Sequence, residues 1–189
     1  MKKIFIVTSN RADYGLMSNL IQLLKKDKKI NFNLIVTGSH LEKKYGNTLN
    51  EILADKINPN YIIKIPLLAS NPKKNIESIT NYMKIFSKFF HKFKPDLLIL
   101  LGDRYEIFSI AVSAFIHKIP IAHLYGGEST LGAFDDFFRF SISKIAQYHF
   151  VSNKFYAKRL LKFIEDEKKI FTVGSLGCEN IEQMNFETL

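Results

Sequence analysis

Short, almost purely apolar runs, each halted by a polar or charged cluster, constrain this chain more than any other feature. Leu97-Leu-Ile-Leu-Leu101 ends in Gly102-Asp-Arg-Tyr-Glu106, and Ile119-Pro-Ile-Ala-His123 leads into Leu124-Tyr-Gly-Gly-Glu128. Unalternating runs of this length fit strands buried on both faces of a parallel sheet. In open α/β sheets, ligands bind beyond the carboxyl ends of such strands. Acids at two neighbouring strand ends therefore converge on one cleft, where acid–base chemistry can be done.

The rest of the chain repeats the alternation. Strands are expected at Lys3–Thr8, Asn33–Thr37, Tyr61–Ile65, Asp96–Leu101, Ile119–His123, His149–Ser152 and Ile170–Val173. Helical spacing of apolar residues predicts helices over Tyr14–Lys25, Thr48–Asp55, Asn75–Phe93, Tyr105–His117, Phe137–Gln147 and Lys154–Ile164. Alternating β and α units imply right-handed crossovers. The expected fold is α/β, a Rossmann-like parallel sheet of about seven strands with helices on both faces.

At 189 residues, 47% of them hydrophobic and 17 of them Phe, the chain can bury one full-sized core and is not generally disordered. Charged or polar residues interrupt every apolar run, so no membrane span is expected. The apolar part of Met1–Thr8 is too short for a secretory leader, and a cytoplasmic location is expected. Cys178 is the single cysteine and is expected to be a small buried residue. The net charge of +9 raises a nucleic-acid reading. Only Arg11, Arg104, Arg139 and Arg159 are arginine, and the lysines are scattered among acids, so a solvated surface explains the charge better.

Chemistry-bearing residues cluster in three places. Between the first strand and helix, Thr8-Ser-Asn-Arg-Ala-Asp-Tyr-Gly15 occupies the position of a phosphate-binding turn but lacks the Gly-x-Gly-x-x-Gly pattern. A dinucleotide is therefore not expected. Arg11 at a helix start can hold a phosphate or can be merely exposed beside a cap, and spacing leaves these even. At the second place, Gly102 permits a tight turn that puts Asp103 at the sheet edge, either as a site acid or as a helix cap. Arg104 can neutralise a phosphate, and Glu106 reads as a first-turn acid complementing the helix dipole.

The third place is the glycine-rich loop Tyr125–Ala133, with Gly126 and Gly127 letting backbone approach a ligand or simply making a flexible loop. It carries Glu128 and leads to Asp135 and Asp136 at a helix start. Adjacent carboxylates can have their pKa values driven apart, supplying a base and an acid. Arg139, one turn on, can orient one of them. His123 leans toward the site and His149 toward structure. His40, His91 and His117 read as surface residues, and no pair of histidines has metal-ligand spacing.

Taken together, Ser9–Met17, Gly102–Glu106 and His123–Asp136, continued by Arg139–Lys144, His149–Ser152 and Val173–Ser175, resemble the hydrolysing UDP-N-acetylglucosamine 2-epimerases of sialic- and legionaminic-acid biosynthesis. The resemblance covers essentially the whole chain. It implies one half of a GT-B two-domain architecture, with a UDP-sugar bound between the halves and no cofactor or metal. It implies elimination of UDP to a glycal, then hydration with inversion at C2. It places Asp103, Glu128 and Asp135 as catalytic acids, and Arg11, Ala12, Gly15 and Arg104 along the nucleotide sugar. Gly126, Gly127, Asp136, Arg139 and His123 would complete the substrate-binding set. Some sialic-acid members carry an acid where this chain has Tyr125, and Glu128 would replace it from a shifted position. Family members continue for about another domain of this size. The expectation is an N-terminal domain over 1–175, with 176–189 beginning the crossover to a second one. The chain would then be a split, truncated or remnant half, with a complementary half or a second copy as partner. The rival readings are an inactive sugar-nucleotide-binding or assembly module, and half of a GT-B glycosyltransferase.

Overall fold

The computed structural model describes residues 1–66, 71–129 and 134–178. Residues 130–133 of the expected glycine-rich loop and 179–189 of the expected crossover lie outside them. Seven strands form one sheet: β1 (Lys2–Thr8), β2 (Ile30–Thr37), β3 (Tyr61–Ile63), β4 (Leu97–Leu101), β5 (Ile121–Leu124), β6 (Tyr148–Val151) and β7 (Ile170–Thr172). Their order is β3-β2-β1-β4-β5-β6-β7, and every pairing is parallel. The strand order reverses between β1 and β4, which creates a crevice at their carboxyl ends.

The helices are α1 (Arg11–Lys26), α2 (Leu49–Ala54), α3 (Pro72–Phe93), α4 (Tyr105–Ile116), α5 (Asp135–Ile145) and α6 (Lys154–Leu160). Three begin earlier than apolar spacing predicts, because polar residues start them. The Asn10 side chain accepts the Asp13 N–H at 3.0 Å, so α1 starts at Arg11 rather than Tyr14. Asn71 accepts the Lys74 N–H at 2.9 Å and Pro72 follows it, moving the start of α3 back from Asn75. Asp135 and Asp136 form the first turn of α5. In the other direction, β3 stops at Ile63 and α6 at Leu160, short of the expected ends.

The apolar runs have a physical explanation in the two cores. Phe5, Val7, Leu98, Leu100 and Ile121 pack on one face against Phe86, Phe90, Ile107, Ile110 and Ile142 of α3, α4 and α5. Ile6, Leu34, Val36, Ile99 and Leu101 pack on the other face against Tyr14, Met17 and Ile21 of α1 and Ile52 of α2. Successive strand residues thus alternate between two dry layers, each side chain contributing about 1.5–3 kcal/mol. No helix among the described residues is long and apolar enough to cross a membrane.

Two surface expectations fail. His40 is fully buried, held between the Thr8 hydroxyl at 2.9 Å and the Thr48 hydroxyl at 2.7 Å. Its partners lie on β1 and before α2, too distant in sequence to be seen there. Cys178 is exposed rather than buried.

Candidate active site

The carboxyl ends of β4, β5 and β6 form the lip on which most of the expected site residues meet. Gly102 leaves β4 at φ +82°, and its N–H donates to the Leu124 carbonyl at 3.2 Å. This ties the two loops together before either reaches solvent. His123 completes the tie from below: its Nε2 lies 2.8 Å from the Gly102 carbonyl, its Nδ1 3.0 Å from the Ser143 hydroxyl. A carbonyl only accepts, so Nε2 carries the proton and Nδ1 accepts from Ser143. Burial holds the imidazole neutral, with its pKa lowered to about 3. His123 therefore supports the lip from the core and, fully buried, presents nothing to the cleft.

The glycines serve the same internal fit. A Cβ on Gly126 would sit 2.8 Å from the Ser143 hydroxyl. One on Gly127, at φ +76°, would sit 2.7 Å from the Tyr156 carbonyl. The close approach at these positions is to Ser143 of α5 and Tyr156 of α6.

Above this floor, Arg139 gathers the acids. Its side chain is only 10% exposed; it pairs directly with the Asp103 carboxylate, and lies 3.6 Å from Glu128 Oε2 and 3.9 Å from Asp136 Oδ1. Nη1 also donates to the Tyr125 carbonyl at 3.2 Å. Three carboxylates thus share one guanidinium. Glu128 also accepts a hydrogen bond from the Ser152 hydroxyl at 2.8 Å, and Asp136 one from Ser129 at 2.6 Å. Asp135 has no ion pair within 4.0 Å among the described residues. Desolvation and then the Asp103 charge raise its pKa above the usual carboxyl value. An apolar recess of about 600 Å³, lined by Ile79, Tyr105, Phe108, Phe134 and Phe138, adjoins it. One lip thus holds carboxyl groups paired with a cation and a neighbouring carboxyl whose pKa burial and a like charge raise. That division suits one group to take a proton and another to give one.

The start of α4 and the β1 corner beyond it are organised differently. Arg104 grips Glu106 with Nη2 at 2.9 Å and Nε at 3.3 Å. Glu106 lies in the first turn of α4, as expected, and is fully buried there as the counter-ion of Arg104. Arg104 remains 43% exposed at the crevice. Arg11 is 75% exposed and pairs with Glu51 of α2 at 2.9 Å, and Ala12 and Gly15 are exposed on α1 beside it. None of the ion pairs or hydrogen bonds described links Arg11 to the Arg139 cluster. Asp13 is the residue that the motif reading passed over. It is buried, accepts from Ser9 Oγ at 2.9 Å, and burial raises its pKa against the opposing influence of Ser9, Asn10 and Arg104. In sequence it looks like an ordinary first-turn acid. Among the described residues, no group of three or more His, Cys, Asp or Glu residues is arranged to hold a metal.

Residues 22–189 match the family model of UDP-N-acetylglucosamine 2-epimerase. The chain belongs to this family. It is 43% identical over 188 residues to a hydrolysing GDP/UDP-N,N'-diacetylbacillosamine 2-epimerase of Campylobacter jejuni, covering 98% of this chain and 48% of that protein. It is 38% identical to the hydrolysing UDP-N,N'-diacetylbacillosamine 2-epimerase of Legionella pneumophila, covering all of this chain and 50% of that protein. The chain therefore spans about half the length of these relatives. Its fold matches a crystal structure of a UDP-N-acetylglucosamine 2-epimerase with a TM-score of 0.87 at 22% identity, over all of this chain and 52% of the other. The Neisseria meningitidis enzyme, crystallised with UDP-GlcNAc, matches with a TM-score of 0.82 at 23% identity over 95% of this chain and 48% of that one. The expected Rossmann-like half of a two-domain GT-B architecture is thus the fold this family shares.

Proposed function

We propose that this chain supplies the carboxylate-bearing half of a hydrolysing UDP-sugar 2-epimerase, acting in the cytoplasm on a UDP-2-acetamido sugar. The second half of the site would come from a complementary C-terminal domain, and a homo-oligomer is compatible with that arrangement. The observation that carries the reading is the gathering of Asp103, Glu128 and Asp136 on the buried Arg139, with Asp135 beside them biased toward its protonated form.

Inversion at C2 needs one group to remove a proton from one face of the sugar and another to return it from the opposite face. Asp103, held by Arg139, takes the C2 proton. The released electron pair forms the C1=C2 bond as the C1–O bond breaks, and UDP leaves with the bonding electrons. Arg104 and Arg11 offer cationic donors to the departing diphosphate. Water then adds through oxygen to C1, giving its proton to Glu128, which Ser152 and Arg139 hold in place. Asp135 protonates C2 from the opposite face. Exchange with solvent restores Asp135 from Asp103 and discharges Glu128. The sum is UDP-sugar plus water giving free 2-epimerised sugar plus UDP.

The test is incubation in deuterated water with UDP-N-acetylglucosamine or its diacetamido counterpart, alone and with a candidate C-terminal half. UDP release with deuterium at C2 of a manno-configured free sugar is expected. Release without deuterium would sink the elimination route. Binding without any release would favour a sugar-nucleotide-binding module, and transfer to an acceptor a glycosyltransferase half.

A further inference from the structure

Tyr125 occupies φ +61°, the left-handed region that a bulky residue rarely adopts. A glycine would take that conformation freely, so the tyrosine sits there against the backbone preference. All of its polar groups are engaged, and with different parts of the molecule. The N–H donates to the Phe150 carbonyl of β6 at 2.9 Å. The carbonyl accepts from Arg139 Nη1 at 3.2 Å. The hydroxyl lies 3.3 Å from Ser175 Oγ and accepts the Gly177 N–H at 3.4 Å. Its ring and Leu176 both border the second core.

Residues 175–177 follow β7 and Gly174, which sits at φ +86° and can serve as a pivot. A Cβ on Gly177 would lie 3.3 Å from Leu16 of α1, so the segment is seated closely on the β1 side of the crevice. Apart from Tyr125, no described hydrogen bond connects it with the acid cluster.

We propose that Tyr125 is a positioning residue that couples residues 175–177 to Arg139, and through Arg139 to Asp103 and Glu128. A displacement of the segment pulls on the tyrosine hydroxyl. The strained backbone at 125 gives that pull few ways to dissipate, so it reaches the carbonyl that Arg139 holds. The inference takes its catalytic meaning from the epimerase reading, but the coupling itself is measurable without turnover.

The experiment uses ¹⁵N-labelled chain and follows the Arg139 Nε–H resonance and the Gly177 amide by NMR. Ser175→Ala should shift the Arg139 signal although residue 175 makes no described contact with it. Tyr125→Phe should shift it the same way and speed Gly177 exchange about fivefold, as loss of one hydrogen bond implies. The double variant should move Arg139 no further than Tyr125→Phe alone. Tyr125→Gly relieves the strained φ and should fold while abolishing the response to Ser175→Ala. Confinement of the Ser175→Ala changes to 174–178, or additive shifts in the double variant, would overturn the coupling. Intact coupling with no UDP release under any condition would instead overturn the epimerase reading alone.

Discussion

The two sides of the crevice belong to adjacent strands of one sheet, yet they treat polar groups in opposite ways. At the β1 corner the polar side chains are paired among themselves: Asp13 with Ser9 and Asn10, and His40 between Thr8 and Thr48. Even the Ser9 carbonyl is capped by the Ser39 N–H at 2.8 Å, with Gly38 so close that a Cβ there would lie 2.4 Å from it. At the β4–β5 lip, three carboxylates converge on Arg139 and a fourth lies beside them. Satisfied pairs make a scaffold. A concentration of carboxylates around one cation leaves capacity for protons, and that is where the chemistry is to be sought.

The sharpest way to break this comparison is Asp103→Asn. In an enzyme reconstituted with a second half, turnover should fall about 10²–10⁴-fold, the usual range for a positioned proton-transfer group. The far-UV spectrum and melting curve should be retained; turnover within threefold of the parent would remove Asp103 from the reaction. Next comes Arg139→Met, which leaves its carboxylates without their shared cation. A loss of about 3–5 kcal/mol in urea unfolding is expected, typical of stripping one partner from a buried ion pair. A loss below about 1 kcal/mol would mean the acids are solvated rather than gathered.

The floor beneath the lip can be tested separately. His123→Leu strands the Gly102 carbonyl and the Ser143 hydroxyl, at about 1–3 kcal/mol. Unfolding titrations would measure it, and an unchanged midpoint would show that water replaces the ring. Arg11→Ala on the opposite side should change stability by less than about 1 kcal/mol, because its pair with Glu51 is exposed. Its effect should appear in UDP-sugar affinity. A large stability loss there would reverse the roles of the two sides.

Histidines supply a pH test that spans both regions. Burial lowers His40 to about 4, His123 to about 3 and His149 to about 4, all from 6.5. The folded state keeps them neutral while the unfolded chain protonates near 6.5. Their stabilisation is therefore full above pH 6.5 and declines as pH falls toward 4. Asp13 and Asp135, raised in the fold, contribute in the opposite sense, gaining stability on acidification. Urea midpoints measured from pH 7 to 4 should fall, and a flat profile would mean that water reaches the imidazoles.

The sheet was legible in the sequence because both of its faces are dry, which turns strands such as Leu97–Leu101 into continuous apolar runs. The cap before Arg11 was open to the same reading, but the helix start at Asn71 was not legible, since caps are polar and lie outside the apolar stripe. The acids of the lip were visible one at a time, and Arg139 was assigned one of them. That it serves residues 103, 128 and 136 together follows from the pairing of β4 with β5, which no local pattern shows. Asp13 and His40 were missed for a related reason: burial depends on what arrives from elsewhere in the chain.

Strand β1 lies at the middle of the sheet, but its two neighbours are made at very different times. Ile4 aligns with Phe32 on one side and with Leu97 on the other. A ribosome adding about 5–20 residues per second takes roughly 5–20 s to progress from the first strand to the fourth. Through that interval the nascent chain displays an open, isoleucine-rich edge, the kind of template on which stray strands pair. Exposure of that edge during synthesis is thus built into the order in which this protein is born.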